Sequence, residues 1–248
     1  MLTPLRTVAL AAAALVIALA GYSVLGNRPS VAGPSPTPAT TPAPTVAPSP
    51  TIGPSPRISG ATVVADSSRL AAGTTYVMRD FEPAFTFSGV DGILFGIDNQ
   101  SYAWLEHATS ARAALGVVVA GSVFDETGTF RALPDDLEAW FRARSDVDIT
   151  ASSPIQLGSV TGALIEGSLR STAHPNSAGY TNIFCPAQVR CDFESGGSMG
   201  SEPASRFEMV LATVNGKAVV AMGTASATEW PTIGADFDAF LRSMNFPG

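Results

Sequence analysis

Reactive side chains are scarce in this chain. Its 248 residues include one lysine, Lys217, two histidines, His107 and His174, and two cysteines, Cys185 and Cys191. Zinc needs four ligands, and the nearest histidine to the cysteine pair, His174, is eleven residues upstream with no second one beside it, so the sequence offers no metal centre. No cysteine follows the amino-terminal apolar run, which excludes anchoring through a lipidated cysteine there. Basic charge is also short. From Gly60 onward, eleven lysines and arginines face 21 acidic residues, a formal balance of −10 that would repel nucleic acid and anionic lipid surfaces. No cofactor-binding motif is present.

What the chain does have is a distinctive amino-terminal quarter. The apolar stretch Thr7–Leu25 is nineteen residues long, about 28 Å as a helix and close to the hydrocarbon thickness of a bilayer. It reads as a single-pass signal anchor in the cell membrane, with the carboxy-terminal part extracytoplasmic. The alternative is a secretory signal cleaved after Ala20, at Ala18-Leu19-Ala20. Retention is favoured because the apolar run continues through Gly21 to Leu25. Arg6 and Arg28 flank it evenly, so orientation by positive charge is weak. From Pro29 to Pro56 no charged residue occurs and proline recurs every two to four positions for the most part. Such a tract prefers polyproline II and lacks the apolar bulk to collapse. It would span about 95 Å extended and about 30 Å as a flexible coil. The expected organisation is therefore an anchor over residues 1–28, a disordered Pro/Ser/Thr/Ala-rich linker over 29–59 and one extracytoplasmic globular domain over 60–248.

The domain reads as α+β. Short strands are expected at Thr75–Arg79 and Ala84–Ser88, a buried strand at Ala114–Phe124, and further strands at Pro154–Val160, Gly162–Leu169, Phe207–Val214 and Lys217–Gly223. Asn215-Gly216 between the last two marks a two-residue hairpin turn. A helix is expected from Asp135, with Glu138 as capping-box partner and Leu137, Trp140 and Phe141 on one face. A second is expected from Ile233 to Met244, where Phe237, Phe240, Leu241 and Met244 follow helical spacing. Strand runs with two helices predict an antiparallel sheet with both helices packed on it.

This order of elements, with the closing Asp236-Phe237-Asp238-Ala239-Phe240 and Ser243-Met244-Asn245-Phe246, resembles the PsbP-like sandwich as found in membrane-anchored bacterial envelope proteins. The resemblance lies in apolar spacing. It implies a binding or assembly role and assigns no residue.

Within the domain, Cys185 and Cys191 are expected to form one disulfide, since the segment is read as exported. The surrounding stretch Ser171–Ser205 is rich in Gly, Ser, Pro and Asn and reads as a long mobile loop. The pinned turn would then present Pro186, Ala187, Gln188, Val189 and Arg190 as a recognition surface. Gly196, Ser198 and Gly200 satisfy the nucleophile-elbow spacing G-x-S-x-G, but no buried strand leads in and both histidines precede the serine, against the required order. Neither histidine stands in a pattern that suggests a base. Carboxylate pairs such as Asp125-Glu126, Asp135-Asp136 and Asp146 with Asp148 are plentiful and unspecific, and Asp91-Gly92 through Asp98-Asn99 lacks the alternating ligands of a calcium loop. The leading reading is a membrane-tethered binding module with an envelope protein or small-molecule ligand as partner, and with no catalytic residue assigned. A small-molecule or lipid carrier with a pocket between sheet and helix, and an envelope hydrolase, are the alternatives.

Overall fold

Alternating apolar residues along the chain from Thr75 to Ala225 build two antiparallel layers. The computed structural model describes residues 60–63, 68–194 and 198–247, all within the compact unit Ser55–Gly248. Thr7–Leu25 and the proline-rich tract lie outside the described residues. Among the described residues, no helix is long and apolar enough to cross a membrane.

A small sheet contains β1 (Thr62–Val63), β2 (Thr75–Met78) and β3 (Phe85–Ser88), in that order. Next come β4 (Ile93–Asn99), β5 (Tyr102–His107), β6 (Ser110–Phe124), β7 (Phe130–Ala132) and the short helix α1 (Leu137–Arg142). They are followed by β8 (Val147–Leu157), β9 (Val160–Leu169), β10 (Thr181–Pro186), β11 (Met199–Ser201), β12 (Arg206–Val214), β13 (Lys217–Ala225) and helix α2 (Trp230–Ser243). The main sheet runs β11-β10-β6-β13-β12-β9-β8, with β5, carrying β4, and β7 also paired to β6. All its pairings are antiparallel.

The two faces of this sheet follow residue parity, as the two-residue period of a strand requires. Leu115, Val117 and Val119 of β6, Val210 of β12 and Ala221 of β13 point into one core with α2 and the β2–β3 hairpin. Val118 and Ala120, Met209 and Leu211, and Val220 and Met222 point into the other, with Phe141 of α1. Under α2 the space is filled by Phe85, Phe87, Phe237, Phe240 and Phe246, each almost fully buried. Beside this packed layer an open groove of about 410 Å³ remains between α2 and the sheet, lined by Glu166, Glu208, Trp230, Asp238 and Arg242. The carboxy-terminal residues strap the layers together: Asn245 exchanges two backbone hydrogen bonds with Thr86 of β3, and the Phe246 amide donates to Leu157 of β8 at 3.2 Å. Gly158 is required beside this strap. Its φ is +69°, and a Cβ there would lie 1.8 Å from the Asn245 Oδ1.

The Asn215-Gly216 turn forms as expected, with φ of 51° and 75° closing β12 and β13 between Val214 and Lys217. Two expectations are corrected. The cap of α1 is Asp136, whose carboxylate accepts from the Ala139 amide at 2.9 Å. Glu138 instead pairs with Arg142 one turn on, so no capping box forms. The segment Ser171–Ser205 is also not one long loop. It contains β10, all six of whose residues are buried, paired to β6 on one edge and to β11 on the other.

A buried ion pair holds the junction after α1. Arg144 and Asp146 are 4% and 5% exposed, joined by two hydrogen bonds of 2.9 and 2.7 Å. Arg144 also donates to the Phe124 carbonyl of β6 and lies over the Trp140 ring. Arg144→Ala would strand the Asp146 carboxylate without its partner and is expected to cost about 3–5 kcal/mol of stability. Chemical denaturation of the variant checks this; a loss below about 1 kcal/mol would show that the pair contributes little.

Candidate functional site

The long strand β6 leaves part of its course uncovered beside β5, and there a cleft of about 260 Å³ opens. Tyr102 and Trp104 alternate on one face of β5, their rings near-parallel with centroids 6.1 Å apart. Arg112 and Ala114 of β6 and Thr224 of β13 continue this floor. Trp104 stands opposite Gly116 in register. The missing side chain makes room for Met199 of β11, whose Sδ lies 2.8 Å from where a Cβ would be.

The second wall comes from the segment expected to be a loop: Asn176, Ala178, Tyr180, Asn182, Glu194, Ser198, Gly200 and Ser201. Its hydrogen bonds are dense. Asn176 Oδ1 accepts from the amides of Ala178 and Tyr180, each at 3.0 Å, closing a tight turn. The Asn176 and Asn182 side-chain amides both donate to the Phe193 carbonyl, at 3.1 and 2.8 Å. Phe193 in turn packs edge-on against Phe124 and flat against His174. Phe124 belongs to a small buried cluster with the Cys185–Cys191 disulfide. The disulfide therefore acts on the cleft indirectly. It fixes Phe193, which fixes the two asparagines and the turn that presents Tyr180, 41% exposed.

One polar group in this wall is unspent. The Ser198 hydroxyl is buried and has no hydrogen-bond partner among the described residues. Leaving such a group unpaired costs about 1–3 kcal/mol. Burial also pushes the Tyr102 phenol above its ordinary range, so it stays neutral through the physiological interval.

The other residues singled out from sequence lie elsewhere. Pro186 is buried in β10, whereas Ala187, Gln188, Val189 and Arg190 are exposed beyond it and do not line the cleft. Gly196 falls outside the described residues. Ser198 is followed by β11 and not by the helix an elbow needs. His174 is occupied with Phe193. His107 is buried, with Nε2 3.1 Å from the Asp236 carboxylate and Nδ1 2.9 Å from the Thr109 hydroxyl. The Thr109 amide also points at Nδ1, which makes that nitrogen the acceptor and places the proton on Nε2, toward Asp236. These bonds tie the β5–β6 turn to α2. Among the described residues no cluster of metal-ligating side chains occurs.

Two further features were not read from sequence. An open groove of about 1030 Å³ lies where α1, only six residues long, leaves Thr161, Ala163, Leu211, Thr213 and Ala218 of the sheet uncovered. On the opposite face, Glu208 of β12 is 4% exposed beneath α2. Burial, a hydrogen bond to Asp238 and repulsion from Asp238 and Glu166 push its carboxyl up to about 8, against a smaller opposing pull from Arg242.

The folded protein thus holds a proton on Glu208 that the unfolded chain, with an ordinary carboxyl near 4.5, releases. Wherever the native state binds the extra proton, stability falls as pH rises. The contribution is full below about pH 4.5 and lost as pH rises through about 8, at up to ~1.4 kcal/mol per pH unit. Glu208→Gln is expected to flatten this dependence and to be more stable than the parent at pH 8. Urea denaturation of both proteins at pH 5 and pH 8 checks it; parallel slopes would contradict the assignment.

No protein-family model matches the chain, and no curated protein does. Among solved structures, it is similar to the cyanobacterial PsbP (CyanoP) of Synechocystis sp. PCC 6803, determined in solution. The identity is 10%, 74% of this chain and 99% of that chain are covered, and the TM-score is 0.39.

Proposed function

We propose that the chain is a binding module of the bacterial cell envelope, held by Thr7–Leu25 in the membrane and carried away from it by the Pro/Ser/Thr/Ala tract, with the Tyr102–Trp104–Tyr180 cleft as its ligand site. The observation that carries the reading is the combination in one recess of three aromatic side chains with the exposed polar groups of Arg112 and Glu194. Ligand pockets are typically lined by apolar and aromatic groups with a few placed polar ones. The groups with catalytic potential are by contrast committed to structure: His107 at both ring nitrogens, and Glu208 to Asp238. The acidic balance of the domain argues against nucleic acid as partner.

A second surface is favoured by one observation. The turn closed by the disulfide exposes Gln188, Val189 and Arg190, with Val189 37% accessible, on the rim of a buried anchor. It would suit an envelope protein as partner.

A thermal-shift screen of the full chain against sugars, peptidoglycan fragments, lipids and divalent metals tests the module, because a ligand of the folded state raises the midpoint by mass action. The expected result is a midpoint increase with at least one small molecule, abolished in Tyr180→Ala, which alters an exposed residue. A shift that survives Tyr180→Ala and Trp104→Ala would place the ligand elsewhere. The double change Cys185→Ser with Cys191→Ser is expected to cost about 2 kcal/mol for a loop this short and to weaken the same ligand by loosening the Phe193 support.

A further inference from the structure

Resting on the reading of this cleft as the ligand site, we propose that its ligand is a single pyranose ring, free or at the end of a glycan. Four features of the cleft converge on that chemistry. Its volume, about 260 Å³, is below the roughly 300–1,000 Å³ of pockets for drug-sized molecules, so it admits one ring and no extended chain. Its ionisable lining is Arg112 and Glu194, of opposite sign, in a domain that is otherwise strongly acidic. A neutral ligand fits that balance, and a phosphorylated or strongly cationic one does not.

The near-parallel rings of Tyr102 and Trp104, with Tyr180 from the second wall, supply flat apolar faces. A pyranose has a matching face of C–H groups whose contact with a ring is apolar and weakly electrostatic. Asn176, Asn182, Ser198, Ser201 and Thr224 interleave with those rings. Of these, Asn176, Asn182, Ser201 and Thr224 are already buried, so the exposed polar groups left to meet the edge of a ring are those of Arg112, Tyr180 and Glu194. Sugar hydroxyls each donate and accept, so they can serve the Arg112 guanidinium, the Glu194 carboxylate and the Tyr180 hydroxyl alike. The wall that must meet the ring edge is held before binding by the two bonds to the Phe193 carbonyl, which lowers the ordering cost of association.

The test is saturation-transfer NMR on the full chain with N-acetylglucosamine, glucose, an oligosaccharide of N-acetylglucosamine and, as a control without a ring, mannitol. Transfer is expected to the C–H protons of one sugar face and not to mannitol. Trp104→Ala and Tyr180→Ala should each weaken binding at least about tenfold. Tyr180 is an exposed residue, so its variant keeps the test decisive if Trp104→Ala fails to fold. Transfer to the oligosaccharide alone would assign a glycan end; transfer to the monosaccharides would assign the free sugar as sufficient. Equal transfer to mannitol, or transfer unchanged in the variants, overturns the proposal. So does silence of every sugar while a peptide of residues 29–59 binds in a Trp104-dependent way, which would give the cleft to proline. If sugars are silent but another small molecule binds and is lost in Tyr180→Ala, the saccharide inference fails and the binding cleft stands. If nothing binds at the cleft, both fail.

Discussion

Strand β6 is the constraint on which the rest of the molecule depends. Residues Ala114–Val118 pair with β5 on one edge and β13 on the other. Beyond Val119 the strand outruns both partners and pairs with β10 and β7 instead. An uninterrupted strand of 15 residues can satisfy its backbone groups only by recruiting such replacements, because a buried amide or carbonyl left unpaired is costly. The hand-over from β5 to β10 along one edge is what creates the cleft. Where one partner ends and the other begins, Tyr102 and Trp104 are left facing a wall that arrives from sixty and more residues later in the chain.

The two faces of the sheet have different tasks. On the α2 side, phenylalanines close-pack and the carboxy-terminal strap ties β3 to β8, with an open, acidic groove left beside Glu166, Glu208 and Asp238. Even its buried carboxyl, Glu208, is accommodated by keeping its proton and sharing it toward Asp238. On the other side, α1 is too short to cover the sheet, and the polar, glycine-containing wall around β10 and β11 leaves recesses. Sites that must admit a ligand belong on the less completely packed face, since every recess there is contact area withheld from the core.

Much of the sheet was legible in the sequence because its strands announce themselves by alternation. Phe207, Met209 and Leu211, the apolar run Val117–Ala120, and Asn215-Gly216 each carry a local signal that tertiary structure did not override. The second helix was legible for the same reason, though it runs from Trp230 to Ser243 where Ile233 to Met244 was expected. The wall of the cleft was not. Thr181–Pro186 is buried on both faces, so it shows no alternation, and it sits among turn-forming residues that dominate any local window. Tyr102-Ala103-Trp104 did contain a two-residue aromatic period, yet only the arrival of β10 and β11 turns those rings into a recess. Glu208 was hidden by its neighbours: in an alternating strand a charged residue reads as solvent-facing, and nothing local shows that α2 covers it. The Cys185–Cys191 pair formed as expected, while its support of Phe193, and through it of Asn176 and Asn182, depends on contacts far apart in sequence.

The account stands or falls on β10 being a true strand of the sheet and not part of a mobile loop. Native-state amide hydrogen exchange of the oxidised protein, read at residues 181–185, tests this most directly. The account predicts protection comparable to that of β6 at Ala120–Val123. Exchange at the rate of an open loop would contradict it, because the cleft would then have no second wall.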